Sequence, residues 1–464
     1  MNAGPHIGHA LEFIQADVLA RYRRQKGDDV FFLTGADEHG VKIVRAAEEA
    51  GKTPGEFVDE NTASFKQLIK ILAVSNDDFI RTTDKKRHWP GVQKIWLGLY
   101  KAGKLYKKSY RGLYCVGHEA FITDKDLING KCKDHKKEPE IIEEENWFFK
   151  LSDYTDAIKK QIVSGKFRVA PESRKNEILA LLNEGLEDIS FSRPRKDLSW
   201  GIPVPNDSAH TMYVWCDALS NYITAIGYAG DNKKFKKYWP ADVQVIGKDI
   251  LRFHAAIWPG MLLAAKLPLP KTIFVHGFIT SGGEKMSKTT GNVIDPAEVA
   301  EKYSADALRY YLLREIPSGG DGDFTYEKFE ERYTADLAKG IGNLAARVLT
   351  LAHKGKIKIQ KNKIFISEIT KVKKDLDQAV SNFKFNEALE KIWRLISLGD
   401  KYIDGKKPWS LEPDSKEFKE IIGSLLFLIS EIGALLLPFL PETADKIAKN
   451  VKSGKNIILF PRLK

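Results

Sequence analysis

The chain has 464 residues, of which 43% are hydrophobic, and this content is enough for cores in several domains. We expect no membrane span and no secretory signal, because no segment has the required length and apolarity. Three cysteines, Cys115, Cys132 and Cys216, exclude a disulfide framework and indicate a reducing, cytoplasmic compartment. The net charge is +11, and residues Asp336 to Lys464 hold 24 Lys and Arg against 15 Asp and Glu. This excess favours a polyanion such as RNA, although a solvated lysine-rich surface gives the same count.

The first stretch, Asn2-Ala3-Gly4-Pro5-His6-Ile7-Gly8-His9, predicts a loop that leads into a helix. Apolar residues with helical spacing follow it, at Leu11, Ile14, Val18 and Tyr22. A helix N-terminus attracts phosphate, Gly8 permits close approach to the backbone, and His6 and His9 add hydrogen-bond donors. Taken alone, however, such a histidine pair is more often ordinary structure or a stray metal ligand.

A cationic loop lies much later, at Gly282-Gly283-Glu284-Lys285-Met286-Ser287-Lys288-Thr289-Thr290-Gly291-Asn292. Lys285 and Lys288, set among glycines and hydroxyls, suit a polyphosphate whose charge shifts during a reaction, although a solvated basic turn is the ordinary alternative. Together and in this order, His-Ile-Gly-His and Lys-Met-Ser-Lys resemble the two signatures of class I aminoacyl-tRNA synthetases.

Between the two signatures, apolar runs that end in polar residues predict buried strands of a parallel sheet. The run at residues 30–35 is followed by Asp37, a candidate for binding a ligand amine or ribose, with helix capping as the alternative. Residues 243–247 and 272–279 predict further strands. Ile250, His254 and Trp258 share one helix face after the first of these, which favours a pocket wall over the usual core stripe.

Residues from about 105 to 205 interrupt this pattern and contain two short pairs of metal-ligand residues. Cys115-x-x-His118 and Cys132-x-x-His135 have the spacing of a four-ligand tetrahedral zinc site. Four protein ligands leave no open position, so the zinc is predicted to be structural. A free cysteine with surface histidines is the alternative.

The remainder, from about Asp336, has helical periodicity almost throughout. Asn343 and Arg347 lie one turn apart on the flank of an apolar stripe and are available to a ligand. Trp409 follows a basic turn, a combination that can stack an unpaired base, although a helix-capping aromatic is the simpler interpretation.

Nearly the whole chain resembles the methionyl-tRNA synthetase family. The resemblance lies in the two signatures and in four further stretches, at residues 32–40, 213–218, 247–254 and 276–279. It implies an α/β fold: a Rossmann-like parallel-sheet catalytic domain with an inserted zinc-knuckle connective domain, and a C-terminal all-α anticodon-binding bundle. The implied boundaries are 1–104 and 206–290 for the catalytic halves, 105–205 for the insertion, 291–335 for a stem-contact linker and 336–464 for the bundle.

The resemblance implies that methionine and ATP, with Mg²⁺, give methionyl-adenylate, and that the acyl group passes to initiator and elongator methionine tRNAs. The ATP-binding and catalytic residues would be His6, Gly8, His9, Lys285 and Lys288. The implied methionine contacts are Asp37, Arg193, Trp215, Ala218, Leu219, Tyr222, Ile250, His254 and Trp258. The implied anticodon contacts are Asn343, Arg347 and Trp409.

Three departures from the family pattern carry further expectations. Leu219 replaces a common proline, and His118 replaces a common cysteine. The chain opens at its signature, whereas the family has a preceding strand that gives a tyrosine and a leucine to the methionine pocket, so we expect lower stability and reduced activity. We also expect a monomer without a hydrolytic editing domain. A catalytically impaired tRNA-binding protein and a sister class I synthetase are the alternatives.

Overall fold

The structure is a computed structural model that describes residues 3–286, 292–353 and 357–463, with only the backbone of Lys285. Its strands are β1 Leu33–Ala36, β2 Asp78–Arg81, β3 Leu105–Cys115, β4 Ala120–Ile122, β5 Leu127–Ile128, β6 Lys131–Cys132, β7 Glu140–Phe149, β8 Arg168–Ala170, β9 Ile189–Ser190, β10 Ser192–Pro194, β11 Pro203–Val204, β12 Asp207–Met212, β13 Gln244–Gly247, β14 Thr272–His276, β15 Ile279–Ser281, β16 Glu284–Lys285 and β17 Gly322–Phe324. Its α-helices are α1 Ile7–Gln25, α2 Val41–Glu49, α3 Pro54–Ile71, α4 Trp89–Lys101, α5 Thr155–Val163, α6 Glu172–Glu184, α7 Val214–Leu219, α8 Asn221–Thr224, α9 Lys233–Tyr238, α10 Trp258–Ala264, α11 Pro296–Tyr303, α12 Ala305–Arg314, α13 Tyr326–Arg332, α14 Asn343–His353, α15 Lys363–Ser381, α16 Phe385–Lys406, α17 Lys416–Leu436 and α18 Pro441–Ser453.

Contacts divide the chain into two compact units. The first unit contains residues 3–4, Phe31–Lys66 and Asn76–Val275, and the second contains Pro5–Val30, Gln67–Ser75 and the described residues from His276 onward. The chain therefore crosses between units several times.

The first unit combines short parallel pairings with antiparallel sheets. β1 pairs with β2 in parallel, and β14 pairs with β8 in parallel within the order β13-β14-β8. The inserted segment forms the antiparallel order β4-β3-β7-β9 and the small sheet β10-β12-β11. Large buried side chains, among them Trp96, Phe149, Phe191 and Trp258, pack in one hydrophobic core.

The second unit is mostly helical, with one small sheet in the order β16-β15-β17. The predicted face of α1 is confirmed, since Leu11, Ile14, Val18 and Tyr22 are all buried. The same helix buries Asp17 against the guanidinium of Arg309 at 2.8 Å, and that guanidinium also donates to the carbonyl oxygens of Leu72, Pro438 and Phe439. Because each nitrogen of this guanidinium has an oxygen acceptor within hydrogen-bonding distance, the buried charge is tolerated.

Several predicted elements differ in detail from the observed ones. α1 begins at Ile7, so part of the predicted loop is its first turn. The strand predicted at residues 30–35 begins only at Leu33, and the strand predicted at 272–279 is divided into β14 and β15. Within the described ranges, no helix has the length and apolarity needed to cross a membrane.

Candidate active site and metal centre

His6 and His9 cap the N-terminus of α1 with their own side chains. Nδ1 of His6 accepts the backbone N–H of Gly8 at 3.1 Å, and Nδ1 of His9 accepts the backbone N–H of His6 at 3.2 Å. A Cβ on Gly8 would lie 2.9 Å from the His6 ring, so this turn requires glycine. Burial and the neighbouring His6 imidazole lower the pKa of His9 to about 3. His9 is therefore neutral at pH 7, and since its Nδ1 is an acceptor, its proton is on Nε2.

The lysine loop starts from a well-anchored hairpin in the same unit. β15 and β16 pair antiparallel, with Thr280 opposite Lys285. The carboxylate of Asp323, on β17, accepts the Thr280 hydroxyl and the N–H of Gly283, each at 2.8 Å. Lys288 lies outside the described residues, and the side chain of Lys285 is not described. The predicted convergence of histidines and lysines stays a prediction.

Asp37 follows the end of β1 in the first unit, beside several other acidic groups. The residue is partly exposed, but its Oδ1 atom is fully covered. Burial, together with the like charges of Asp217 and Glu119, raises the pKa of the Asp37 carboxyl to about 7. This environment favours a bound cation, which would offset the unfavourable negative charge.

A buried network that the sequence analysis missed lies next to Asp37. Asp217 faces His39 through Oδ2···Nδ1 at 2.5 Å and His88 through Oδ1···Nε2 at 2.7 Å, and all three residues are almost fully buried. Burial alone would raise the pKa of Asp217 and lower that of His39, but their pairing shifts each in the opposite direction. The pairing therefore favours the imidazolium form of His39 and the carboxylate form of Asp217.

Aromatic side chains form a cage around His254 in the same unit. The Trp215 ring stacks on Phe253 with centroids 3.8 Å apart, and the Tyr222 hydroxyl lies 2.9 Å from Nε2 of His254. Nδ1 of His254 faces the carbonyl oxygen of Ile250 at 3.0 Å. His254 lies on a π-helical turn, Phe253–Ile257, a local irregularity that is frequent at functional sites.

The remaining methionine candidates occupy the same unit. Ala218 and Leu219 are buried on α7, and Trp258 is fully buried 6.2 Å from the Tyr222 ring, measured between centroids. The structure thus places Tyr222 beside His254 and Trp258, two members of the predicted helix face that also contains Ile250.

Arg193 has a partner that the sequence analysis did not identify. Its guanidinium makes two hydrogen bonds to Glu144, at 2.8 and 2.7 Å, and lies 4.5 Å from the centre of the Tyr114 ring. Arg193 is 8% exposed. Its orientation is therefore fixed by Glu144 and by the aromatic face beneath it.

The four predicted zinc ligands come together at β3 and β6. Ligand atoms of Cys115, His118, Cys132 and His135 all lie within 4.8 Å of one another. The three sulfur–nitrogen distances are 3.6, 3.7 and 3.7 Å. A tetrahedral zinc ion with bonds of about 2.3 Å to sulfur and about 2.0 Å to nitrogen separates such ligands by roughly 3.5 Å. The donor set fits zinc.

The carboxylate of Asp134 contacts one of the four ligand residues. Nδ1 of His118 faces Cys132, while its Nε2 lies 3.0 Å from Asp134. A carboxylate on the far nitrogen of a histidine ligand fixes the ring and raises its basicity. Asp134 therefore supports the metal site.

The knuckle also contacts the residues that surround Asp37 and Trp215. The carboxylate of Glu119 accepts the N–H of Lys42 at 3.0 Å, at the start of α2. A Cβ on Gly40, where φ is +106°, would lie 2.3 Å from the same carboxylate, so only glycine fits. The indole N–H of Trp215 points to the carbonyl oxygen of His118 at 3.4 Å. The knuckle thus contacts both the segment that follows Asp37 and the aromatic cage around His254.

The predicted RNA-binding residues lie in the second unit. Trp409 is 53% exposed, and the Arg347 guanidinium is 5.5 Å from the centre of its ring. Arg347 also pairs with Asp404 at 2.6 Å and lies 3.8 Å from Asp400. Burial raises the pKa of Asp400 to about 6. Asn343 starts α14, one turn before Arg347.

Comparison with known proteins places these features in one family. The family described as "tRNA synthetases class I (M)" matches residues 1–132 and 122–349, and "Anticodon-binding domain of tRNA ligase" matches residues 362–462. A methionine–tRNA ligase from Caldanaerobacter subterraneus subsp. tengcongensis is 44% identical over 472 residues, covering 99% of this chain and 73% of that protein. The chain belongs to the methionine–tRNA ligase family of class I tRNA synthetases.

Further relatives agree with this membership. The methionine–tRNA ligase of Clostridium perfringens is 46% identical over 477 residues, covering 99% of this chain and 72% of that protein. Mycobacterium tuberculosis methionyl-tRNA synthetase in complex with methionyl-adenylate superposes with a TM-score of 0.90 at 36% identity, covering 96% of this chain and 91% of that chain. The predicted fold class and family are confirmed.

Proposed function

We propose that this chain charges methionine tRNAs in two steps. Methionine attacks the α-phosphate of ATP through its own carboxylate, giving methionyl-adenylate and pyrophosphate, and the acyl group then passes to the terminal adenosine of the tRNA. The observation that carries the proposal is the aromatic cage at Tyr222 and His254 in the same unit as the buried acidic group Asp37, within a chain that is 44% identical to a methionine–tRNA ligase.

Asp37 binds the methionine ammonium, since its surroundings favour a cation. The side chain enters the cage, where a polarizable thioether gains from contact with ring edges. The proposed methionine contacts are Asp37, Arg193, Trp215, Ala218, Leu219, Tyr222, Ile250, His254 and Trp258. In that set Arg193 is oriented by Glu144.

His6, Gly8, His9, Lys285 and Lys288 hold the phosphates of ATP, which binds with Mg²⁺. The methionine carboxylate is the nucleophile, so no covalent enzyme intermediate forms, and catalysis is positioning plus electrostatic stabilisation. The neutral His9 ring contributes a hydrogen bond through Nε2–H rather than a positive charge.

Zinc, held by Cys115, His118, Cys132 and His135, has a structural role. It would lock the knuckle, and through Glu119 and Trp215 the knuckle supports the methionine-binding residues.

The helical region from about residue 336 to residue 464 is the proposed anticodon-binding domain. Asn343 and Arg347 supply polar contacts, and the exposed ring of Trp409 stacks on a base. The excess of positive charge in this region favours RNA.

The decisive test is exchange of labelled pyrophosphate into ATP, measured separately with methionine, leucine and cysteine. The proposal predicts exchange with methionine only. Equal exchange with leucine or cysteine would point to a sister synthetase, and no exchange would point to a tRNA-binding protein without catalysis. W409A should leave exchange unchanged while it weakens tRNA binding about tenfold, because one base–aromatic stack is lost.

A further inference from the structure

His276 lies in the unit that carries the signature histidines His6 and His9. It ends β14 and is 6% exposed. Its Nδ1 lies 2.8 Å from the carbonyl oxygen of Gly277, and its Nε2 lies 3.0 Å from a carboxylate oxygen of Glu12. Both partners are oxygen acceptors, one in a carbonyl and one in a carboxylate.

A ring nitrogen bonds such an acceptor only by donating its own N–H. Because both nitrogens of His276 face acceptors, both carry a proton, and the ring is an imidazolium. His254 provides the contrast, since its Nδ1 faces a carbonyl but its Nε2 faces the Tyr222 hydroxyl, which donates. One proton satisfies His254, whereas two are needed at His276.

Glu12 connects this imidazolium to the signature. It lies three residues after His9 on α1, on the same side of the helix. Glu12 and His9 are among the groups that act on His276, and the His6 ring lies 4.0 Å from the His9 ring, measured between centroids. Burial lowers the pKa of His9 most, His6 comes next, and His276 is the smallest contributor. His276 therefore acts on the signature electrostatically.

We propose that His276, held as an imidazolium by Glu12 and the Gly277 carbonyl, is a positioning residue for adenylate formation. It places a positively charged ring beside the signature, at the site proposed for the polyphosphate. The inference rests on the proposed function. No group or proton is transferred through His276.

The protonation state is tested first, by NMR of protein labelled with ¹³C at histidine, with the His276 signal assigned by its loss in H276Q. In the wild-type chain the signal should stay in the protonated position above pH 8. In E12Q, where the amide still accepts but carries no charge, it should titrate near the ordinary histidine value of about 6.5. Titration of the wild-type signal at or below that value overturns the proposal.

The role is tested by methionine-dependent pyrophosphate exchange between pH 6 and pH 8. E12Q should lose activity relative to wild type as the pH rises, with about a tenfold increase in KM for ATP and no change in KM for methionine. H276Q should show the loss at all pH values. E390Q, which removes an exposed glutamate from α16, is the matched control.

The proposal is overturned if E12Q follows the pH profile of wild type or of E390Q. Glu12 has a side chain that is 36% exposed, so E12Q should fold even if H276Q does not. Absence of wild-type exchange would overturn the proposed function itself, and the NMR measurement would then still decide whether His276 is an imidazolium.

Discussion

The two candidate binding regions of this chain differ in their buried titratable groups, with carboxylates at Asp37 and imidazoles at the start of α1. In the first unit, burial and the carboxylates Asp217 and Glu119 raise the pKa of Asp37, and Asp217 itself contacts His39 and His88. In the second unit, imidazoles surround the N-terminus of α1, and Glu12 balances only His276. Burial and neighbouring carboxylates make the ionised form of Asp37 unfavourable, so the first region suits an ammonium group. The second region combines the N-terminus of α1 with imidazole rings and suits a polyphosphate.

The two regions therefore suit two different ligand groups, an ammonium group and a polyphosphate. Burial makes the ionised Asp37 carboxyl unfavourable, so an ammonium group relieves a cost that already exists in the free protein. The start of α1 instead offers a polyphosphate its backbone N–H groups and the positive end of the helix dipole. A substitution in one region should therefore weaken the binding or reaction of only the ligand group that this region contacts.

Substitution of His6 tests the imidazole region. H6N keeps a side-chain oxygen that caps α1 but removes the distant N–H donor, so kcat for pyrophosphate exchange should fall about a hundredfold with unchanged thermal stability. H6Q restores a donor near the Nε2 position but caps poorly, so it should recover part of kcat and lose about 1 kcal/mol of unfolding free energy. Full activity in H6N would show that the Nε2 donor is not used.

Substitution of Asp37 tests the acidic region. D37N removes the charge that pairs with the methionine ammonium, and KM for methionine should rise about a hundredfold, as expected for a charge-assisted hydrogen bond. KM for ATP should not change. An equal rise in both constants would contradict the separation of the two regions.

The pH dependence of methionine binding provides a finer test. The pKa of Asp37 is raised to about 7, so its carboxyl is neutral below that pH and cannot pair with an ammonium group. The ionised fraction rises about tenfold from pH 6 to pH 8, and KM for methionine should fall by a similar factor. D37N should abolish this dependence. If KM for methionine of D37N depends on pH in the same way, a group other than Asp37 causes the dependence.

Removal of zinc should produce the smallest effect, and only on the acidic region. The knuckle contacts Lys42 through Glu119 and holds the Trp215 indole, so chelation should raise KM for methionine a few-fold, about 1 kcal/mol, and leave KM for ATP unchanged. Added Zn²⁺ should restore the original value. An unchanged KM for methionine after verified zinc loss would show that the knuckle does not support the methionine-binding residues.

Local patterns predicted much of this arrangement. The period of apolar residues identified the buried face of α1, and the short Cys-x-x-His spacing identified a cluster that closes within one small segment. The stripe of His254 and Trp258 also came together, because both lie within two turns of one helical segment.

The charge partners could not be predicted in the same way. His39 and His88 are 178 and 129 residues from Asp217, and Glu12 is 264 residues from His276. Such pairs depend on how strands and helices pack, which periodicity does not specify. Buried histidines and carboxylates require hydrogen-bond or charge partners. Asp217 lies inside an apolar run, so the sequence indicates a buried carboxylate that needs such a partner.

The most direct test is a crystal structure with methionine and a non-hydrolysable ATP analogue bound together. We predict that the ammonium group lies within hydrogen-bonding distance of Asp37 and that the phosphates contact the histidines at the start of α1. Phosphates bound beside Asp37, or an ammonium group bound among the imidazoles, would contradict the account.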